Sequence, residues 1–196
     1  MSRLLRVVAV SGSVQQPSRT RVLVEALLAR LQQVLPVETR LVDLARSGPQ
    51  FAGVLQREQL PERLREEIAA IEGADLLIAA SPVYRASYTG LFKHLFDFVD
   101  HRALVGVPVL LAATGGSERH SLMIDHQLRP LFGFFQAQSL ATALYASEAD
   151  FSDYRIDNPA LQARIELAIE HALPQLASRR PDAFSLRSHS PSETAA

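Results

Sequence analysis

Ala80-Ser81-Pro82-Val83-Tyr84-Arg85-Ala86-Ser87-Tyr88-Thr89-Gly90-Leu91-Phe92-Lys93 is the stretch that decides the fold of this chain. It follows an apolar run, Ala74-Asp75-Leu76-Leu77-Ile78-Ala79, that reads as a buried strand. It leads into Leu91, Phe92, Leu95, Phe96, Phe98 and Val99, which have helical spacing. The stretch is therefore a strand-to-helix loop at the carboxyl end of a strand. Open α/β sheets bind their ligands at that edge. A loop with Pro, two Tyr, small hydroxyls and a terminal Gly is stiff and flat-faced, which suits a planar ring. A plain surface turn is the alternative for such a loop taken alone.

Working outward, Val7-Val8-Ala9-Val10 runs into Ser11-Gly12-Ser13-Val14-Gln15-Gln16-Pro17-Ser18-Arg19-Thr20, and an apolar helical pattern begins at Val22. A helix start exposes free N–H groups and the positive end of the helix dipole, and both attract anions. The hydroxyls and Arg19 add donors that complement a phosphate. Ordinary capping by Ser18 or Thr20 is the alternative, but one cap does not need so many hydroxyls. A third loop, Thr114-Gly115-Gly116-Ser117-Glu118-Arg119-His120, follows the strand pattern Val107 to Ala113. Its glycines allow close backbone approach to a ligand, or simply make a tight turn. The chain has no G-x-G-x-x-G after its first strand and no Walker Gly-Lys-Ser/Thr. A monophosphate carrying a flat ring fits these loops better than a dinucleotide or triphosphate.

The remaining pattern alternates strand and helix. A helix is expected over 18–35 with Leu23, Leu27 and Leu31 on its buried face, then a strand over 37–42 and a mixed loop over 45–60. A helix over 61–72 has Pro61 in its first turn and Gly73 at its end. Strands are expected over 75–80, 107–113 and about 139–145, and helices over 90–100, 121–136 and from Asn158-Pro159 onward. Five such units imply one parallel sheet covered on both faces. Residues 1–177 read as one domain, and 178–196 as a polar tail rich in Ser, Pro and Arg.

Composition narrows the function. A chain of 196 residues with 47% apolar content builds a substantial core. A formal net charge of −1 makes no electrostatic case for nucleic acid. No apolar run approaches the roughly 20 residues of a membrane span, and the amino terminus lacks a signal-peptide pattern. With no Cys there is no disulfide, thiolate metal site or Cys nucleophile. A cytoplasmic protein is the expectation. His94, Asp97 and His101 share one helical face and could bind a metal, but an interfacial polar cluster is the favoured reading, and no metal is expected.

Three motifs now stand in order: Ser11-Gly12-Ser13 with Pro17-Ser18-Arg19-Thr20, Ser81-Pro82-Val83-Tyr84 with Tyr88-Thr89-Gly90, and Ala113-Thr114-Gly115-Gly116. Together they resemble the NAD(P)H-dependent FMN reductases, and most closely the reductase components of bacterial alkanesulfonate monooxygenase systems. The resemblance spans roughly residues 5–175. It implies a flavodoxin-like doubly wound sheet of five parallel strands in the order 2-1-3-4-5. It implies FMN and NADH or NADPH as cofactors, with the phosphate at Ser11, Ser13, Ser18, Arg19 and Thr20. The ring edge would lie against Pro82, Val83 and Tyr84, the nicotinamide beside Tyr84, Arg85 or Tyr88, and Thr114, Gly115 and Gly116 near the ring or ribityl. It also implies a homodimer or homotetramer and a transient FMNH2-dependent monooxygenase partner in sulfonate sulfur assimilation.

Related quinone, azo and chromate reductases share much of the pattern, and a flavodoxin-like electron carrier is a further rival; such carriers are usually strongly acidic, which a net charge of −1 does not match. One position departs from the family. In the alkanesulfonate-type reductases an inserted Tyr often forms a π-bulge at the tetramer interface, and here His126 stands in its place. Pro130 lacks an N–H, so the His126 carbonyl loses its helical partner and a local bulge or kink is expected there. A Pro-kinked core helix with His126 at the surface is the alternative.

Overall fold

The computed structural model describes residues 4–179. Strand β1 (Leu5–Ser11) is buried on both faces. Helix α1 (Arg19–Val34) is capped by Ser18, whose hydroxyl accepts the Arg21 N–H at 3.2 Å. Leu23, Leu27 and Leu31 are fully buried on it, as their spacing requires. Strand β2 (Val37–Asp43) follows, and the segment expected as a mixed loop folds into a short helix α2 (Leu44–Ser47) and 3₁₀ turns. Helix α3 (Glu62–Glu72) ends at Gly73, whose N–H donates to the Ala69 carbonyl. Strand β3 (Leu76–Pro82), helix α4 (Gly90–Asp97) and strand β4 (Pro108–Gly115) then complete the central units.

The strands lie in the order β2-β1-β3-β4, all parallel, with Val7 opposite both Thr39 and Leu76, and Ala80 opposite Ala112. The fifth position differs from the expected single strand over 139–145. It is filled by two short pieces, β5 (Gln138–Ser139) beside Pro108–Val109 and β6 (Leu144–Ser147) beside Ala112–Gly115. Arginines satisfy the carbonyls at the break. Arg129 donates to the carbonyls of Leu140 and Ala141, and Arg164 to that of Ala143. With those acceptors satisfied by side chains, the ladder can be interrupted at little cost.

The expected helix over 121–136 is also divided. Ile124–Leu128 form a π-helical turn, in which the Arg129 N–H donates to the Ile124 carbonyl five residues back, and α5 (Arg129–Phe134) follows. A two-stranded hairpin, β7 (Phe151–Ser152) and β8 (Arg155–Ile156), has no counterpart in the sequence reading. Helix α6 (Pro159–Arg179) closes the chain. It runs through the start of the expected tail, and the rest of that tail, from residue 180, lies outside the described residues.

Alternate strand residues feed two cores. Val8 and Val10 pack with Phe92, Phe96 and Phe132 on the side of α3, α4 and α5. Val7 and Ala9 pack with Leu23, Leu27 and Ile169 on the side of α1 and α6. The helix expected over 90–100 stops at Asp97, and Phe98 and Val99 turn inward into the first core, Phe98 stacking on Phe51 at 6.0 Å. Leu122 and Phe134 remain exposed. His94 sits edge-on to Phe51 and Phe98, with Nε2 2.9 Å from the Val54 carbonyl.

Phe92 is fully buried between Tyr88 and Phe96, directly beneath Gly12. Its truncation to Ala should lower stability by about 3–5 kcal/mol, read as a lower midpoint in urea unfolding. A wild-type midpoint would remove Phe92 from the packed core.

Candidate active site at the carboxyl edge of the sheet

Four backbone and hydroxyl contacts stitch the three loops together. The Gly12 N–H donates to the Ala80 carbonyl at 2.7 Å, and the Thr89 hydroxyl donates to the Gly12 carbonyl at 2.8 Å. The Val83 N–H donates to the Thr114 carbonyl at 2.7 Å. The Thr20 and Thr114 hydroxyls lie 2.6 Å apart, both buried. Thr89 also caps α4 by accepting the Phe92 N–H, so the second loop is held at both ends. Asp43, at the end of β2, accepts from Gln16 and from Arg21, and so anchors the first loop from its far side.

The loops enclose a cavity of about 210 Å³ lined by Ser13, Ser18, Arg19, Thr20, Pro82, Val83, Tyr84, Thr114, Gly115 and Gly116. Its floor is made of buried hydroxyls, those of Ser13, Ser18, Thr20 and Thr114. Arg19 and Tyr84 stand at its exposed rim. Buried hydroxyls at a helix N-terminus make a donor set for an anion. These residues therefore fit the phosphate end of FMN. All ten are candidates expected from the sequence, and they line one cavity.

Three candidates fall outside the cavity. Ser11 is the last residue of β1, fully buried, and its hydroxyl has no hydrogen-bond partner. Arg85 occupies the tip of a two-residue turn closed by mutual bonds between Tyr84 and Ser87; Arg85 and Ala86 both have positive φ, 50° and 67°. This turn carries Arg85 out into solvent. Tyr88 turns its ring onto Phe92, at 5.7 Å.

Four lining residues are not among the candidates: Gln15 and Pro17, which belong to the first loop, and Glu148 and Tyr154, which lie outside all three loops. Glu148 and Tyr154 come from the turn after β6 and from the β7–β8 hairpin. The available signal was Ser147-Glu148-Ala149-Asp150, a capping-box spacing just after a strand. In the structure Asp150 accepts from the Ser147 N–H and hydroxyl and from Asn158, and it is buried.

The third loop rests on Tyr145. Its hydroxyl donates to the Ser117 carbonyl at 2.6 Å. Burial raises the phenol above its ordinary pKa, and the Glu118 and Asp150 carboxylates push the same way. Because the folded value is raised, the stabilisation is complete below the ordinary phenol pKa and is lost as pH rises through the raised value. Tyr145 is thus a donor throughout the neutral range.

His126 is exposed in the π-helical turn, beside Arg119, His120 and Ala86. Gln127, next to it, accepts from the Ser87 hydroxyl at 3.2 Å, which joins this turn to the second loop.

The architecture and the edge-of-sheet cavity define a flavodoxin-like α/β protein. Residues 5–151 match the family described as NADPH-dependent FMN reductase. The chain is 58% identical to the NADH-dependent FMN reductase SfnF of Pseudomonas fluorescens, over 89% of this chain and 93% of that protein. It is 54% identical to the FMN reductase (NADPH) of Pseudomonas aeruginosa, over 91% of this chain and 96% of that protein. Among solved structures, apo NADH:FMN oxidoreductase (EMOB) superposes with a TM-score of 0.78 at 30% identity, covering 89% of each chain. The chain belongs to the NAD(P)H-dependent FMN reductases, oxidoreductases that use FMN and reduced nicotinamide.

Gly115 tests the support of the third loop. A Cβ there would lie 2.1 Å from the Tyr145 hydroxyl and 3.1 Å from its ring carbon Cζ. Gly115→Ala should therefore cost about 1–3 kcal/mol, the usual range for overpacking. Adding Tyr145→Phe should recover part of that loss, because the nearest clashing atom is gone. Denaturant titration of the single and double variants reads both effects. A neutral Gly115→Ala would show that Tyr145 does not buttress the loop.

Proposed function

We propose that the cavity holds FMN with its phosphate on the Ser13, Ser18 and Thr20 hydroxyls and on Arg19. The ring edge lies along Pro82, Val83 and Tyr84, with Thr114, Gly115 and Gly116 beside it. The observation that carries this reading is the convergence of three stitched loops on one hydroxyl-floored cavity at the N-terminus of α1. FMN held there would supply the redox chemistry, as an acceptor for hydride from C4 of a reduced nicotinamide. The protein's part is orientation. The Thr20–Thr114 pair fixes the distance between the first and third loops. Pro82 and Val83, tied to Thr114, present a stiff apolar edge. Gly116 leaves open space, since a Cβ there would meet nothing within 4 Å. No side chain need act as acid or base.

We further propose that the reduced flavin passes to a partner monooxygenase in sulfonate sulfur assimilation, in the cytoplasm. The similarity to SfnF and the match to alkanesulfonate-type motifs support this. Among the described residues no helix is long and apolar enough to cross a membrane. Assembly as a homodimer or homotetramer is supported by exposed Leu122 and Phe134, and by a groove of about 730 Å³ that Phe134 lines with Tyr88 and Phe96.

Anaerobic mixing with FMN and NADH or NADPH should bleach the flavin absorbance. Turnover should favour FMN over riboflavin, which lacks the phosphate. Arg19→Ala should weaken FMN binding about ten- to a hundredfold, the worth of a hydrogen bond to a charged group. No bleaching with either nicotinamide would sink the enzyme assignment; equal turnover of riboflavin would sink the phosphate site.

A further inference from the structure

Among the described residues that line the cavity Arg19 is the one cation, and its own chain already engages it. Its guanidinium lies 2.6 Å from the Glu148 carboxylate and 5.4 Å from the centre of the Tyr154 ring. Glu148 is the one carboxylate among the described residues that line the cavity. We propose that Glu148 is an intramolecular competitor for Arg19, which lowers the affinity of the site for the phosphate end of FMN and speeds its release. This rests on the flavin site proposed above.

A phosphomonoester carries between one and two negative charges at neutral pH. To use Arg19 fully it must displace Glu148, and the free energy of the ion pair is then subtracted from phosphate binding. The buried hydroxyls are untouched by this exchange, so they still select the phosphate. Competition of this kind lowers affinity without removing specificity.

The competitor is held in place by design of the local chain. Asp150 ties the Glu148 turn to Ser147 and Asn158 through its carboxylate, and its own carbonyl accepts the Asp157 N–H across the base of the hairpin. Asp153 and Tyr154 turn at positive φ, 45° and 58°, a backbone conformation that non-glycine residues rarely adopt. That turn places the Tyr154 ring against Arg19. The ion pair itself is well exposed, with 38% and 59% of the two side chains accessible. A pair so exposed adds little to stability. Glu148 can therefore swing into water when phosphate arrives, and return when it leaves.

Glu148→Gln keeps the side-chain shape and removes the charge. Dissociation constants and release rates for FMN and riboflavin are read from flavin fluorescence in wild type, Glu148→Gln, Arg19→Met and the double variant. Glu148→Gln should bind FMN about three- to tenfold tighter and release it correspondingly more slowly, the scale expected for an exposed ion pair plus a lost like charge. Riboflavin binding should not change. In the Arg19→Met background the gain should shrink. Unchanged or weaker FMN binding in Glu148→Gln overturns the competition. So does equal tightening of riboflavin, or a gain as large without Arg19, which would be charge repulsion alone. If wild type prefers FMN and only these variant effects fail, the flavin site stands and the competition falls. If wild type shows no preference for FMN over riboflavin, both fall.

Discussion

The close approach of the Gly12 backbone to strand β3 is the constraint on which the site depends. A Cβ at Gly12 would lie 2.7 Å from Phe92 and 3.0 Å from the Ala80 carbonyl. Without one, the first loop leaves β1 flush against β3 and both of its polar backbone groups find partners. The N–H is satisfied by Ala80 and the carbonyl by Thr89. Thr89 in turn starts α4, and α4 carries Phe92 back under Gly12. Loop, cap and core ring thus form a closed circuit in which each element fixes the next. Backbone groups at the edge of a sheet need such partners when water is excluded.

The same circuit explains how a site built on loops can be stiff. Loops tend to be the mobile parts of a fold. Here each one is tied to another by a short bond to a hydroxyl or a backbone group. The Thr20–Thr114 contact is the shortest route between the first and third loops, and it crosses the sheet from α1 to β4. Rigidity is concentrated in the buried floor, while the charged groups stand at the rim. A pocket arranged this way recognises shape and hydrogen-bonding pattern deep inside and adjusts charge at the entrance.

Much of this was legible in the sequence because the signals were local. Strand, hydroxyl-rich loop and helix start fall within a few residues of one another at Val10, Ser13 and Ser18, and the α/β alternation then places all three loops on one edge. The losses came where side chains act across distance. Nothing local says that Arg129 and Arg164 will satisfy carbonyls in the fifth strand and so divide it. Nothing local separates Ser13, which lines the cavity, from Ser11, which the strand buries. Nothing local separates Tyr84, which lines the cavity, from Tyr88, whose ring packs on Phe92. Glu148 and Tyr154 were missed because they reach the site from a turn and a hairpin that carry only weak signals.

Pro130 shows how a single local signal spreads further than a sequence reading can follow. It withholds the N–H that the His126 carbonyl would use in an α-helix. The preceding residue, Arg129, instead bonds back five residues to Ile124, and the extra residue is taken up as a π-helical turn. The guanidinium of that same Arg129 then reaches the Leu140 and Ala141 carbonyls, where the fifth strand breaks. Within the turn, Gln127 takes the Ser87 hydroxyl beside the strained Arg85–Ala86 tip. One missing hydrogen is thereby connected to the division of a strand on one side and to the position of the second loop on the other. The π-helical turn belongs to the architecture of the site as much as the hydroxyl floor does, since the loop that presents Tyr84 is braced against it.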